Sequence, residues 1–185
     1  MKKSVMNIVL GVAFVAISCS ETKEKTTSVA DAIKPAITTD TTLHDTDDPA
    51  IWVNPTDPAQ SMIIGTDKDI DGALYAFDLN GKVIEERTVR GLKRPNNVDI
   101  EYGLVVGTDT IDIAVTGERF THNMRVFALP EMKVIDNGGI PVFEGEEGVE
   151  YRDLMGVALY KRPTDGAIFA IMGRKTGPTD GTYLW

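Results

Sequence analysis

Cysteine and histidine are nearly missing from this chain of 185 residues, which has one Cys and two His. A single thiol excludes an internal disulfide and a cysteine-rich zinc site. His44 and His122 are too few for a multi-histidine metal centre. Cations are also scarce: Lys and Arg number 19 against 28 Asp and Glu, a formal net charge of −9. Covering a phosphate backbone needs the opposite balance, so general nucleic-acid binding is excluded as a class. No segment beyond the first forty residues keeps a helical period over three turns. What is present is ordinary globular composition, 42% hydrophobic and 25% charged, on a length that suits one domain.

The first residues read as an address. Lys2 and Lys3 precede an apolar run over 5–17, broken only by Asn7 and Gly11 and closed by Ser18-Cys19-Ser20. A positive start, a short apolar core and small residues at its end make an export signal, and the run is too short to span a bilayer comfortably. Ala16-Ile17-Ser18-Cys19 resembles the lipobox of bacterial lipoproteins. That resemblance implies a signal peptide over 1–18, lipidation of Cys19, and an exported protein anchored to a bacterial membrane on its periplasmic or cell-surface side. Residues 19–40 are rich in Ser, Thr, Lys, Glu and Ala. They lack the apolar surface needed to offset ordering entropy, so they form a flexible tether.

From about residue 41 the chain repeats. Short apolar or alternating runs occupy 50–53, 62–66, 73–78 and 83–87, with the hairpin signal Asn80-Gly81 between the last two. A second set lies at 98–102, 111–116, 124–129 and 133–135, and a third begins at 156–160, 168–172 and 182–185. Such spacing argues an all-β fold. Pro55-Thr56-Asp57-Pro58 returns as Pro163-Thr164-Asp165-Gly166, and Gly65, Gly117 and Gly173 each follow a short apolar run. Four strands per unit of about 50 residues is the signature of a β-propeller. Two blades and most of a third are expected over 41–185, so the sequence reads as a fragment of a longer frame.

The repeat also places charge. Each second strand ends in glycine and a polar cluster: Gly65-Thr66-Asp67-Lys68, Gly117-Glu118-Arg119 and Gly173-Arg174-Lys175. Matched positions in successive blades share one height around a propeller axis. Lys68, Arg119 and either Arg174 or Lys175 are therefore expected on one rim, a seat for a multiply charged anion. Asp45, Asp47 and Asp48 fall just before the first strand, Asp67, Asp69 and Asp71 alternate after the second, and Asn96-Asn97-Val98-Asp99 opens the second unit. Hard oxygen donors of this kind suit calcium, although Asp-Pro also serves plain turn chemistry.

Asp47-Asp48-Pro49-Ala50-Ile51-Trp52-Val53, followed by Asn97-Val98-Asp99-Ile100, resembles the β-propeller phytases. The resemblance covers roughly residues 40–185, the first half of such a domain. It implies a six-bladed, calcium-dependent phosphomonoester hydrolase that releases phosphate from phytate (myo-inositol hexakisphosphate), acting as a monomer and touching membrane only through its lipid. It maps calcium ligation onto Asp47, Asp48 and Asp99, with backbone oxygens near Pro49 and Val98. It maps catalysis and substrate binding onto Lys68 and Arg119, and further substrate binding onto Arg174 and Lys175. This span alone is then expected to be inactive.

Two positions depart from the family. Met155 stands where a Tyr usually precedes the glycine of the third unit's first strand, and Thr176 follows Lys175 where Glu is common. A divergent branch or another substrate would account for both. A second reading follows from another class: a surface-anchored propeller that binds calcium and holds an anionic ligand without turnover. A third is a one-calcium propeller lactonase or sugar-acid hydrolase, which would need no cationic rim.

Overall fold

A computed structural model describes residues 33–177 and 182–185. The expected signal peptide, Cys19 and the part of the expected tether up to residue 32 lie outside the described residues. Met1–Pro35 and Ala36–Trp185 separate as two units, and the fold below belongs to the second. Among the described residues every regular element is a β-strand or a single 3-10 turn.

Three antiparallel sheets follow one another along the chain. The first holds β1 (Thr46–Trp52), β2 (Met62–Asp67), β3 (Gly72–Phe77) and β4 (Val89–Leu92) in sequence order. The second holds β5 (Pro95–Val106), β6 (Asp109–Glu118), β7 (Asn123–Leu129) and β8 (Lys133–Val134), with β9 (Ile140–Pro141) also paired to β7. The third pairs β10 (Leu154–Lys161) with β11 (Ile168–Arg174). Its next strand is begun by Met172 and Trp185, which exchange backbone hydrogen bonds at 3.0 and 2.9 Å. These are consecutive blades of a propeller whose sheets do not close into a ring within this chain.

One expected strand is displaced. The sequence pattern places the fourth strand at 83–87, but only Val83 bridges Phe77, and Glu85–Arg87 make a 3-10 turn. Pairing resumes at β4. The Asn80-Gly81 turn stands as expected: the Asp78 carboxylate accepts from the Asn80 and Lys82 amides, both at 2.8 Å, and Gly81 sits at φ +78°.

Alternation along the strands builds two seams. Leu74 and Ala76 of β3 face the second blade and join Trp52, Met62, Ile64, Val98, Ala114 and Phe127 in one core. Ile113 and Val115 of β6 face the other way, toward Leu159 and Ile168 of the third blade. The second blade is thus apolar on both faces because it is covered on both. β5 lies against β1 on one side and β10 on the other. The first strands of the blades are therefore neighbours, and residues at their starts come together.

Each first strand bulges near its start. Thr46 pairs with Asp67, but the next pair is Pro49 with Gly65. Pro95 pairs with Glu118 and then Val98 with Thr116; Leu154 pairs with Arg174 and then Val157 with Met172. Two residues of the first strand thus oppose one of the second. The bulged pairs are Asp47-Asp48, Asn96-Asn97 and Met155-Gly156. A bulge re-aims side chains and commonly does so at binding sites.

Candidate functional site

The bulges fix which residues correspond between blades, and they correct the alignment on glycine. By register, Gly117 and Gly173 match Thr66, one residue beyond Gly65. Asp67, Glu118 and Arg174 then form one set, and Lys68, Arg119 and Lys175 the next. A repeated backbone bond confirms the second set. Lys68 N–H donates to Asp45 O at 2.7 Å, Arg119 N–H to Arg94 O at 3.1 Å, and Lys175 N–H to Asp153 O at 2.8 Å. Of the two third-blade cations, Lys175 takes the rim position and is exposed.

Arg174 does not. It is 3% exposed, donates to Tyr151 O at 3.1 Å and to Thr182 Oγ1 at 2.6 Å, pairs with Glu146 at 3.1 Å, and lies over the Phe143 ring. Every one of these contacts is internal to the fold, so its substrate-binding role is withdrawn. The matched acids also hold backbone. Asp67, 1% exposed, accepts from the amides of His44 and Asp45 at 3.1 and 2.8 Å and faces the His44 ring at 2.9 Å. Glu118 accepts from the Lys93 amide and from Thr121 Oγ1.

Lys68 is half-buried and bound to its own blade. Its Nζ lies 2.9 Å from Asp47 and 3.5 Å from Asp45. The hydrogen bond to Asp47, aided by Asp45, raises its pKa above the usual lysine value. Arg119 is 5% exposed and meets no carboxylate directly. Its Nε donates to Leu154 O at 2.9 Å, and its Nη2 lies 2.8 Å from Met155 Sδ. Burial lowers its pKa, and the nearby Arg94 charge lowers it further; Asp153 and Asp47 act in the opposite sense. Asp47 is thus gripped by Lys68, and its charge acts on Arg119 as well.

The proposed calcium donors divide. Asp47 and Asp48 sit on the bulge. Asp48 Oδ2 accepts from the Val98 amide at 3.0 Å, tying the first blade to the second. Asp99 has both oxygens committed to backbone, Oδ1 to Ile100 N–H at 2.8 Å and Oδ2 to Leu159 N–H at 2.7 Å. Its geometry is that of a stitch between the second and third blades. Among the described residues no three acidic, His or Cys side chains stand together as a metal cluster. Among the described residues three buried side-chain atoms lack a partner, Arg152 Nε, Arg174 Nε and one acceptor, Asn96 Oδ1, on a residue 0% exposed whose Nδ2 donates to Arg94 O and Leu154 O. An orphaned amide oxygen on the bulge that matches Asp47-Asp48 is a donor of the type a hard cation takes. The donor chemistry at Asp47, Asp48 and Asn96 therefore suits calcium, and Asp99 does not add to it.

A cavity of about 320 Å³ opens at the far end of the same strands, lined by Trp52, Asn54, Thr110, Asp112, Leu129 and Pro130 among others. It holds none of the candidate residues. The candidate residues lie instead at the bulged end of the strands.

The family model described as Phytase matches residues 2–183. The chain belongs to the phytase family. Among curated proteins, the 3-phytase of Bacillus subtilis (strain 168) is 30% identical over 137 residues, which are 71% of this chain and 33% of that protein. The chain thus spans about a third of the length of this relative.

Sequence reasoning singled out Asn96 with its neighbours but missed Arg94 and the anchoring role of Asp67 and Glu118. A signal for Arg94 was present. Leu43-His44-Asp45, Leu92-Lys93-Arg94 and Tyr151-Arg152-Asp153 repeat a basic residue just before each first strand, and only the middle copy continues with a second cation.

Proposed function

We propose that the protein is a phytase that removes phosphate from phytate with calcium at its mouth. The observation carrying this reading is the matched placement of Lys68, Arg119 and Lys175 one residue past β2, β6 and β11, beside the bulged Asp47-Asp48. The family match and the 3-phytase relative supply the substrate class.

Bound calcium would neutralise phosphate oxygens and supply an activated water for attack on phosphorus. Asp47, Asp48 and Asn96 Oδ1 would hold it. The chain's own cations do the rest. Arg119 is fixed in direction by its Nε bond to Leu154 O, so its remaining N–H groups meet a phosphate already oriented. A guanidinium this buried and without a carboxylate gains more from an arriving anion than an exposed one does, because water screens it less. With Asp47 among the residues that would hold calcium, Lys68 would be left to meet the phosphate as a point charge. The charge building on phosphate oxygens in the transition state is met by both.

We also propose export with a lipid anchor at Cys19, the protein acting as a monomer. The alternative of a propeller that binds its ligand without turnover draws on one observation, Met155 Sδ against Arg119 where the family usually has an oxygen-bearing Tyr.

The test is phosphate release from phytate by the intact protein, with calcium and with a chelator. Arg119→Ala and Lys68→Ala are each expected to lower kcat/KM about 10²-fold or more. Release that ignores the chelator and both substitutions refutes the reading. Phytate binding without release by the unmodified protein favours the binding module.

A further inference from the structure

The rim positions repeat in backbone but not in charge. The residue whose carbonyl receives the Lys68, Arg119 or Lys175 amide is Asp45 in the first blade, Arg94 in the second and Asp153 in the third. In the first blade the result is an ion pair, Asp45 with Lys68. In the second, a cation stands where the first blade has an acid, on the residue whose carbonyl receives the Arg119 amide.

The local structure holds Arg94 there. Its amide donates to Asp69 O at 2.8 Å, and its carbonyl accepts from both Arg119 N–H and Asn96 Nδ2. Its backbone is left-handed, φ 62°, which neither Asp45 nor Asp153 shares. A non-glycine residue in that region is uncommon and often sits at a functional position. The guanidinium carbon lies 5.6 Å over the ring of Phe120, the residue that follows Arg119. That ring offers cation–π attraction and no counter-charge.

Four other arginines of the fold are neutralised, while Arg87 and Arg152 lean on Met62 Sδ and Val142 O without an acid. Arg125 pairs with Asp136 at 2.8 Å and Glu118 at 3.4 Å, Arg90 with Glu85, Arg162 with Asp165, and Arg174 with Glu146. Among the described residues neither Arg94 nor Arg119 has an ion pair, and no hydrogen bond is made by the Arg94 side chain. In a protein with surplus acid, leaving two neighbouring guanidiniums unpaired is costly unless an anion joins them.

We propose that Arg94 is a second substrate-binding arginine, which closes with Arg119 on one phosphate group as a two-armed clamp. This rests on the reading of Arg119 as a phosphate ligand. Two planar forks match the oxygens of one phosphomonoester dianion, whereas the single ammonium of Lys68 meets it as a point charge. The clamp selects a terminal phosphate, which exposes three oxygens, over a diester.

The probe is inorganic phosphate, titrated calorimetrically into the intact protein in calcium. Arg94→Gln is expected to weaken binding about tenfold or more, with unchanged melting temperature. Arg94→Gln combined with Arg119→Gln should lose less than the product of the single losses, as expected for residues sharing one ligand. Wild-type affinity in Arg94→Gln, with affinity lost in Arg119→Gln, would overturn the role of Arg94 and leave that of Arg119. Unchanged affinity in both would overturn the clamp and the phosphate site together. Should Arg94→Gln not fold, the unmodified protein still decides. Phosphate should protect Arg94 from phenylglyoxal, read by peptide mass, and equal labelling with and without phosphate would overturn the clamp.

Discussion

Lys68 and Arg119 end the second strands of their blades with the same backbone bond, yet Lys68 leans on two carboxylates of its own blade and Arg119 on a carbonyl and a thioether of the next. The first arrangement is a partly exposed ion pair. Pairs of that kind contribute little to stability and re-form easily with another partner. The second is a fixed, desolvated cation that no acid touches. One blade thus supplies an exchangeable charge and the other a rigid one. Repetition of the fold set the positions, and single substitutions at Asp45 and Arg94 set the electrostatics.

The largest effect belongs to what the two blades share. Asp67 and Glu118 occupy the same register position and both accept backbone N–H groups of the segment entering the first strand. Glu118 also faces Arg125 at 3.4 Å. Removing either carboxylate leaves buried donors unmatched. Asp67→Ala and Glu118→Ala are each expected to cost about 3 kcal/mol of unfolding free energy in urea. A loss below about 1 kcal/mol in one alone would break the equivalence of the two blade mouths.

A smaller effect tests what the blades do not share. Arg94→Asp gives the second blade the first blade's charge pattern, with an acid beside the cation. Arg119 should then be neutralised in place, and inorganic phosphate should bind more weakly than in Arg94→Gln. Equal binding in Arg94→Asp and Arg94→Gln would show that the carboxylate does not reach Arg119, and the contrast between the blades would then lie in backbone rather than charge.

The propeller was legible because its signal is periodic. Apolar runs at a fixed spacing carry the strands and the faces they bury, as Leu74 and Ile113 do on opposite seams. The displaced fourth strand shows the limit. Val83 and Ile84 look like strand residues, and nothing local announces that Glu85–Arg87 will turn. The site was half legible. Lys68 and Arg119 follow from the repeat, but a bulge adds a residue that no glycine marks, so alignment on Gly65 slipped by one and left Arg174 and Lys175 undecided. Asp99 reads as a ligand because the Asn97-Val98-Asp99 segment resembles the family's calcium-holding segment. Its two amide partners, one of them 60 residues away at Leu159, appear only once the blades are packed.

The smallest effect is a dependence on pH confined to the first blade. Asp67 holds the ring of His44 as well as its amide, whereas the matching Glu118 takes the amide of Lys93, Thr121 Oγ1 and the Arg125 guanidinium but no imidazole. The hydrogen bond to Asp67 raises the His44 pKa above its ordinary 6.5, opposed by partial burial and aided by the charges of Asp67, Asp69 and Asp71. A group whose pKa rises on folding stabilises the fold fully below its unfolded value and loses that contribution as pH climbs through the folded one. His44→Gln should therefore lower the melting temperature more at pH 5.5 than at pH 8.5. In Lys93→Gln the two shifts should be the same, since no titrating ring faces Glu118. If His44→Gln shifted melting equally at both pH values, the imidazole would not be charged against Asp67, and the first blade's anchor would reduce to the backbone contacts found in the second.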